Sequence, residues 1–159
     1  MNKRWIMGCL AVVLFALAAG CATLPSKEEM ALDISGYELP KQPEADSALI
    51  YVVRPSGLGP IVRFNVFLDD KEDASEMGYT RGSQYVYFFV TPGIHTIYSK
   101  AENWANISVK VKPRDVIFIK QTPSIGFIMA RNSLDLVQET EGKYDVKNTS
   151  LGTIKKERK

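Results

Sequence analysis

The sequence predicts an all-β domain, a single antiparallel β-sandwich or small barrel of about seven to eight strands. Three observations predict it. From Ser47 onward apolar residues recur with period two, in short runs rich in Val, Ile, Tyr and Phe. Turn chemistry separates these runs at spacings of about 8–15 residues. No strongly amphipathic helical stretch lies between them.

The elements follow in order. Ala48–Val53 is β-branched and aromatic, and it stops at Arg54-Pro55 before the loop Ser56-Gly57-Leu58-Gly59-Pro60. Val62, Phe64, Val66 and Leu68 alternate with Arg63, Asn65 and Asp69, so one face of that strand is buried. Gln84–Val90 is apolar on both faces, as a central strand covered on each side would be. Thr91-Pro92-Gly93 turns the chain into Ile94–Tyr98. Ile107, Val109 and Val111 alternate with Ser108, Lys110 and Lys112, a half-exposed strand. Pro113-Arg114-Asp115 then leads into Val116–Lys120, and Ser133–Glu139 resumes the alternation.

The N-terminus follows a different logic. Lys3 and Arg4 precede fifteen uncharged residues, Trp5–Ala19. A membrane span needs about 20 apolar residues, so a basic start with a shorter apolar run reads as a secretory signal over residues 1–20. Leu17-Ala18-Ala19-Gly20-Cys21 resembles the lipobox of bacterial lipoproteins. The resemblance implies cleavage between Gly20 and Cys21 and a diacylglyceryl thioether on the Cys21 sulfur. The new amine of Cys21 would be acylated as well. Ala18 departs from the commonest pattern, whose leucine stands here one place earlier, at Leu17. Ala22 follows the cysteine where an aspartate would retain an enteric lipoprotein at the inner membrane. The implied location is the outer membrane, lipid-anchored and facing the periplasm.

Multiple acyl chains hold a protein stably where one chain binds only marginally. With Cys9 in the signal and Cys21 capped, no thiol remains for a disulfide or a zinc site, and the fold stands on its core. Beyond residue 20, eighteen basic residues balance eighteen acidic ones, which argues against electrostatically driven nucleic-acid binding. Residues 21–46, with Pro25, Pro40 and Pro43, read as a lipidated tether. As a flexible chain it would span about 25–30 Å. A short helix over 27–34 is expected within it, because Ser26 and Glu29 form a capping-box pattern. The β-domain is placed at 47–140, and 141–159 as a polar, basic, frayed tail ending Lys155-Lys156-Glu157-Arg158-Lys159.

Four segments, ALIYVVRPS (48–56), FNVFLDDK (64–71), YVYFFVTPGIHTI (85–97) and IKQTPSIGF (119–127), resemble an uncharacterised family of bacterial lipoproteins, domain of unknown function 2846. The Pro-Gly-x-His step is similar to PEGA-type β-domains. The resemblance spans about residues 47–140. It implies a β-domain in the cell envelope and supplies no activity, since the family has none assigned. Two turns depart from it: Asp69-Asp70 stands where Asp-Gly is usual, and the turn before Val116 lacks its common glycine.

Chemical candidates are few. His95 is the only histidine, so a histidine metal cluster is excluded within one chain, and its setting after a Pro-Gly turn suits a structural role. A hydrolase using His95 as a base would lack a nucleophile elbow or an HExxH motif. The acidic run Asp69–Glu76 lacks the ligand spacing and turn glycine of a calcium loop and reads as a solvated loop. Gly57, Gly59 and Pro60 form no phosphate loop. No catalytic residue, metal or cofactor is assigned. Loop 121–132 mixes Pro123 and Gly126 with Phe127, Ile128, Met129 and Arg131, a composition suited to contacting a partner. A further buried strand through Gly126–Ala130 is the alternative.

The expected function is that of a non-enzymatic envelope lipoprotein, anchored to the membrane through Cys21. It would contact an envelope protein partner through a sheet edge or loop 121–132. The alternative is a small-molecule or lipid binder with a barrel-like cavity lined by Tyr87, Phe89 and Phe118.

Overall fold

The computed structural model describes residues 24–158. The signal peptide over 1–20, the Gly20–Cys21 cleavage site and the lipidation site Cys21 lie outside the described residues. The described chain is a β-sandwich. In order it runs α1 (Lys27–Asp33), β1 (Ala48–Arg54), β2 (Phe64–Leu68), a single 3-10 turn (Asp73–Ser75), β3 (Glu76–Thr80), β4 (Gln84–Val90), β5 (Gly93–Lys100) and β6 (Trp104–Val111). It continues with β7 (Val116–Ile125), β8 (Ala130–Val137), α2 (Glu139–Lys147), β9 (Ser150–Leu151) and β10 (Thr153–Ile154).

Two five-stranded sheets form, ordered β8-β7-β1-β4-β9 and β10-β3-β2-β5-β6. The second sheet is antiparallel throughout. The first is mixed, since β1 pairs parallel with β7 and β4 parallel with β9, whereas a purely antiparallel sandwich was expected. Alternation within a strand records which face is buried and carries no information on the direction of its neighbour.

The main core lies between the sheets, where Ile50, Val52, Val66, Leu68, Val86, Phe88 and Ile97 meet. A polar pin crosses it. The buried Gln121 of β7 accepts a hydrogen bond from Thr80 and donates to Ser99 Oγ at 2.6 Å, joining β7 to β3 and β5 of the facing sheet.

All seven residues of β1 are buried, because its sheet is covered on the outside as well. Leu49, Tyr51, Val53, Tyr85, Tyr87, Phe89 and Phe118 point away from the sandwich interior and form a second core with Leu39 and Val146. Tyr51 stacks on Phe118, with ring centroids 5.6 Å apart. The two-faced apolar reading of Gln84–Val90 is thereby explained. The barrel cavity expected around Tyr87, Phe89 and Phe118 is corrected. The sheets do not close into a barrel, and these rings lie on the outer face of the first sheet in a filled second core.

What covers that face corrects two further expectations. Segment 141–158 is packed, not frayed. α2 lies on Phe118 through Gly142, Val146 is buried, and β9 and β10 pair with β4 and β3. The sequence ETEGKYDVK buries little apolar side chain, so helical periodicity is weak there and the packing is achieved through a glycine. Residues 24–46 form a strap and not a free tether. α1 carries the expected capping box of Ser26 and Glu29. Lys147 Nζ lies 3.1 Å from Asp33 Oδ1, Leu39 is buried, and the Tyr51 hydroxyl both accepts from Lys41 N and donates to Lys41 O at 3.0 Å.

The acidic run also differs from expectation at its far end. Ser75 and Glu76 are buried, and Glu76 opens β3, where Asn65 Nδ2 donates to it at 2.7 Å and Lys155 Nζ lies 2.5 Å away. The two glycine-lacking turns are made by L-residues in the left-handed region, Asp69 at φ 68° and Arg114 at φ 68°. Aspartate tolerates that region because its short carboxylate bonds locally. Here Asp69 Oδ1 accepts from Thr96 N at 3.1 Å.

Candidate functional site: the β7–β8 hairpin tip

Loops 55–63, 81–83, 101–103 and 126–129 gather at one end of the sandwich, where β1, β3, β5 and β7 end and β2, β4, β6 and β8 begin. The residues expected to contact a partner project from it. Ile125 and Ala130 close the β7–β8 ladder, and Gly126–Met129 form the turn beyond them. A Cβ at Gly126 would sit 2.1 Å from the Met129 carbonyl oxygen, so only glycine permits this turn. The alternative of a buried strand through Gly126–Ala130 does not occur. Phe127 is 96% exposed, Ile125 91%, and Ile128 and Ile61 84% each, with Met129 half exposed.

This tip is organised around one carboxylate. Glu102 Oε1 accepts from Phe127 N at 3.0 Å, and Oε2 accepts from Ile128 N and Met129 N at 2.8 Å each. The three amides hold the Glu102 carboxyl below its usual range, Met129 contributing most, then Phe127 and Ile128. Glu102 is fixed in turn, since its amide donates to Ala130 O at 3.1 Å. The neighbouring Asn103 donates through Nδ2 to Asn132 O at 2.9 Å and accepts from Asn132 N at 2.8 Å. The β5–β6 turn of one sheet thus clamps the β7–β8 hairpin of the other.

Cations border the apolar surface. Ile61 and Met129 share an open depression of about 410 Å³ with Arg63 and Lys100, and Arg131 lies close enough to Gly126 to limit it. The ammonium of Lys100 sits over the Trp104 ring at 5.3 Å, and the Arg63 guanidinium over Tyr79 at 5.0 Å. Behind the 55–62 loop, the fully buried Arg54 donates to Val62 O, Leu58 O and Gly59 O at 2.7, 2.5 and 3.0 Å and lies 3.9 Å over Phe64. Desolvation lowers the pKa of its guanidinium.

His95 stands at the opposite end. Its Nδ1 is 3.0 Å from Asp69 Oδ2 and its Nε2 is 2.8 Å from Thr91 O, which ties the Thr91–Gly93 turn to the Asp69 turn. Between α1 and α2 lies a cavity of about 340 Å³ lined by Leu24, Met30, Lys120, Glu141, Tyr144 and Asp145. Lys120 Nζ is 2.8 Å from Glu141 Oε1 and 3.6 Å from Asp145 Oδ2. Burial pushes the Asp145 carboxyl up despite the Lys120 charge. For Lys120 burial acts downward, but the two carboxylates outweigh it and leave the ammonium raised. Among the described residues no three His, Cys, Asp or Glu side chains are grouped to hold a metal ion.

Sequence reasoning placed Phe127, Ile128 and Met129 in a loop, but the expected loop 121–132 is shorter, because 121–125 extend β7 and Arg131 stands in β8; Glu102, Arg54 and the Lys120–Asp145 pair were missed. No local pattern marks Glu102, because its partners are backbone amides about 25 residues downstream.

No family model matches the chain. It is similar to an uncharacterized protein of Haemophilus influenzae, at 25% identity over 138 residues that cover 85% of this chain and 77% of the relative.

Proposed function

We propose that the chain is a lipid-anchored, non-enzymatic envelope lipoprotein, an interaction or accessory module at the periplasmic face of the outer membrane. Acyl chains on Cys21 are its anchor, and the β7–β8 hairpin tip is its contact site. The observation that carries this reading is the lipobox-like Leu17-Ala18-Ala19-Gly20-Cys21 behind a basic, then apolar, leader. The tip supports it, since an exposed apolar surface of this kind marks a contact site. No helix among the described residues is long and apolar enough to cross a membrane. Metabolic labelling with palmitate tests the proposal. The mature protein should incorporate label, and Cys21→Ala should abolish labelling and release the protein from outer-membrane fractions washed at high salt. Label-free wild type, or unchanged fractionation of the variant, would overturn it.

A further inference from the structure

We propose that the apolar end of the sandwich docks on an anionic phospholipid surface: Ile125, Phe127, Ile128 and Met129, with Ile61 beside them, enter the interfacial layer, and Arg63, Lys100 and Arg131 engage the headgroups. This deepens the reading of the tip as a contact site and takes the anchor on Cys21 from it.

Three observations support a bilayer over a protein. The first is shape and composition. The hairpin tip presents two isoleucines and a phenylalanine as its most exposed side chains, with Ile61 of the 55–63 loop beside them, and lacks the central Trp, Tyr or Arg that dominate protein hot spots. Its rim is basic, and the acid at this end, Glu102, is turned onto backbone amides. Apolar side chains backed by cations suit acyl chains beneath anionic headgroups.

The second is backbone satisfaction. A loop entering a lipid interface leaves behind the water that solvates its amides, and unsatisfied groups there oppose entry. The amides of Phe127, Ile128 and Met129 are already bonded to Glu102, so the tip carries its own acceptor. The clamp also fixes the loop before it meets lipid, which lowers the ordering cost of docking.

The third is reach. Leu24 and Lys120 line one cavity, and Lys120 stands five residues before Ile125 on β7, about 17 Å of strand. Cys21 precedes Leu24 by three residues, at most about 11 Å of chain. That length of chain covers most of the distance from Lys120 to the tip, and the anchor raises the local lipid concentration seen by the tip.

The test uses the lipidated mature protein in vesicles. Once residues 1–20 are removed, Trp104 is the only tryptophan, so Trp104→Phe combined with Phe127→Trp gives a single reporter at the tip. In vesicles containing phosphatidylglycerol its emission should shift to the blue, and it should be quenched by brominated lipid and shielded from iodide. Phosphatidylcholine vesicles should give a weaker response. In the mature-length Cys21→Ser chain, each of Arg63→Gln, Lys100→Gln and Arg131→Gln should lower partitioning onto anionic vesicles about fivefold at low salt, with less effect at high salt. A reporter that stays water-exposed in both vesicle types would overturn the proposal, as would one shielded only after an envelope protein extract is added, which would assign the tip to a protein partner. Mass spectrometry of the Cys21 peptide from the same sample reads the anchor separately. If that peptide carries no lipid, the anchor fails alone, and co-sedimentation of a mature-length Cys21→Ser chain with anionic vesicles still decides the docking surface.

Discussion

Gly142 packs so closely on Phe118 that a Cβ at the glycine would lie 2.1 Å from the ring's Cγ. The helix α2 therefore sits directly on the outer face of the first sheet at the point where Tyr51 stacks on the same ring. Gly142→Ala must lift the helix or displace Phe118. Although alanine favours helices, the clash should dominate, and a loss of about 1–3 kcal/mol is expected from overpacking. Urea unfolding of the variant checks this, and an unchanged or higher midpoint would show that the second core tolerates a looser helix.

Among the described residues Arg54 has no carboxylate partner and instead serves three carbonyls of the 55–62 loop, at 2.5–3.0 Å, while covering Phe64. Its planar fork makes that possible. A lysine at this position is a point charge that can neither span the three acceptors nor stack on the ring. Arg54→Lys should cost about 1–3 kcal/mol, from buried carbonyls left without donors. Stability by chemical denaturation and the environment of Ile61 by NMR would report it together. A neutral result would mean that the loop is held by its neighbours and not by the guanidinium.

Much of the framework was legible because burial leaves a period in the sequence. β1 and β4 read as strands, and β4 as one covered on both faces, because its side chains from Tyr85 to Val90 alternate between the second core and the inter-sheet core. The parallel pairing of β1 with β7 was illegible, since about 60 residues intervene, β4 and most of the facing sheet among them, and only the chain path decides direction. α2 was illegible because its docking relies on Gly142 and Val146 and not on an apolar stripe. For the site, Phe127, Ile128 and Met129 were legible as apolar residues in a loop with Gly126. Glu102 was not, because amide donors have no side-chain identity to pair with an acid.

Asp145 is buried, and its Oδ2 accepts no hydrogen bond among the described residues; Lys120 Nζ stands 3.6 Å away. Burial raises the carboxyl pKa above its unfolded value, so the native state binds more protons than the unfolded one from about pH 4 up to that raised pKa. Stability is then lost as pH rises through this window. Asp145→Asn removes the cost and leaves Lys120 paired with Glu141. The variant should match or exceed wild-type Tm at neutral pH, and the difference should vanish near pH 3. A variant less stable at pH 7 would mean that the Lys120 charge needs both carboxylates.

Glu102 gives the opposite sign. Its carboxyl is held low by the three tip amides, so the clamp is intact above the ordinary glutamate range and is lost as pH falls through the lowered value. Hydrogen exchange read by NMR should find the amides of Phe127, Ile128 and Met129 protected at neutral pH, although their side chains stand in solvent. Glu102→Gln keeps an acceptor oxygen but replaces the other with an amide donor facing N–H groups. Exchange at all three amides should therefore accelerate, those of Ile128 and Met129, which share Oε2, moving together. Strand amides within β7, such as Ile119, should be unaffected, because that ladder does not depend on the clamp. Uniform acceleration across β7 would instead show that Glu102 supports the sandwich as a whole. Unchanged exchange at the tip would mean that the hairpin holds its turn without the carboxylate.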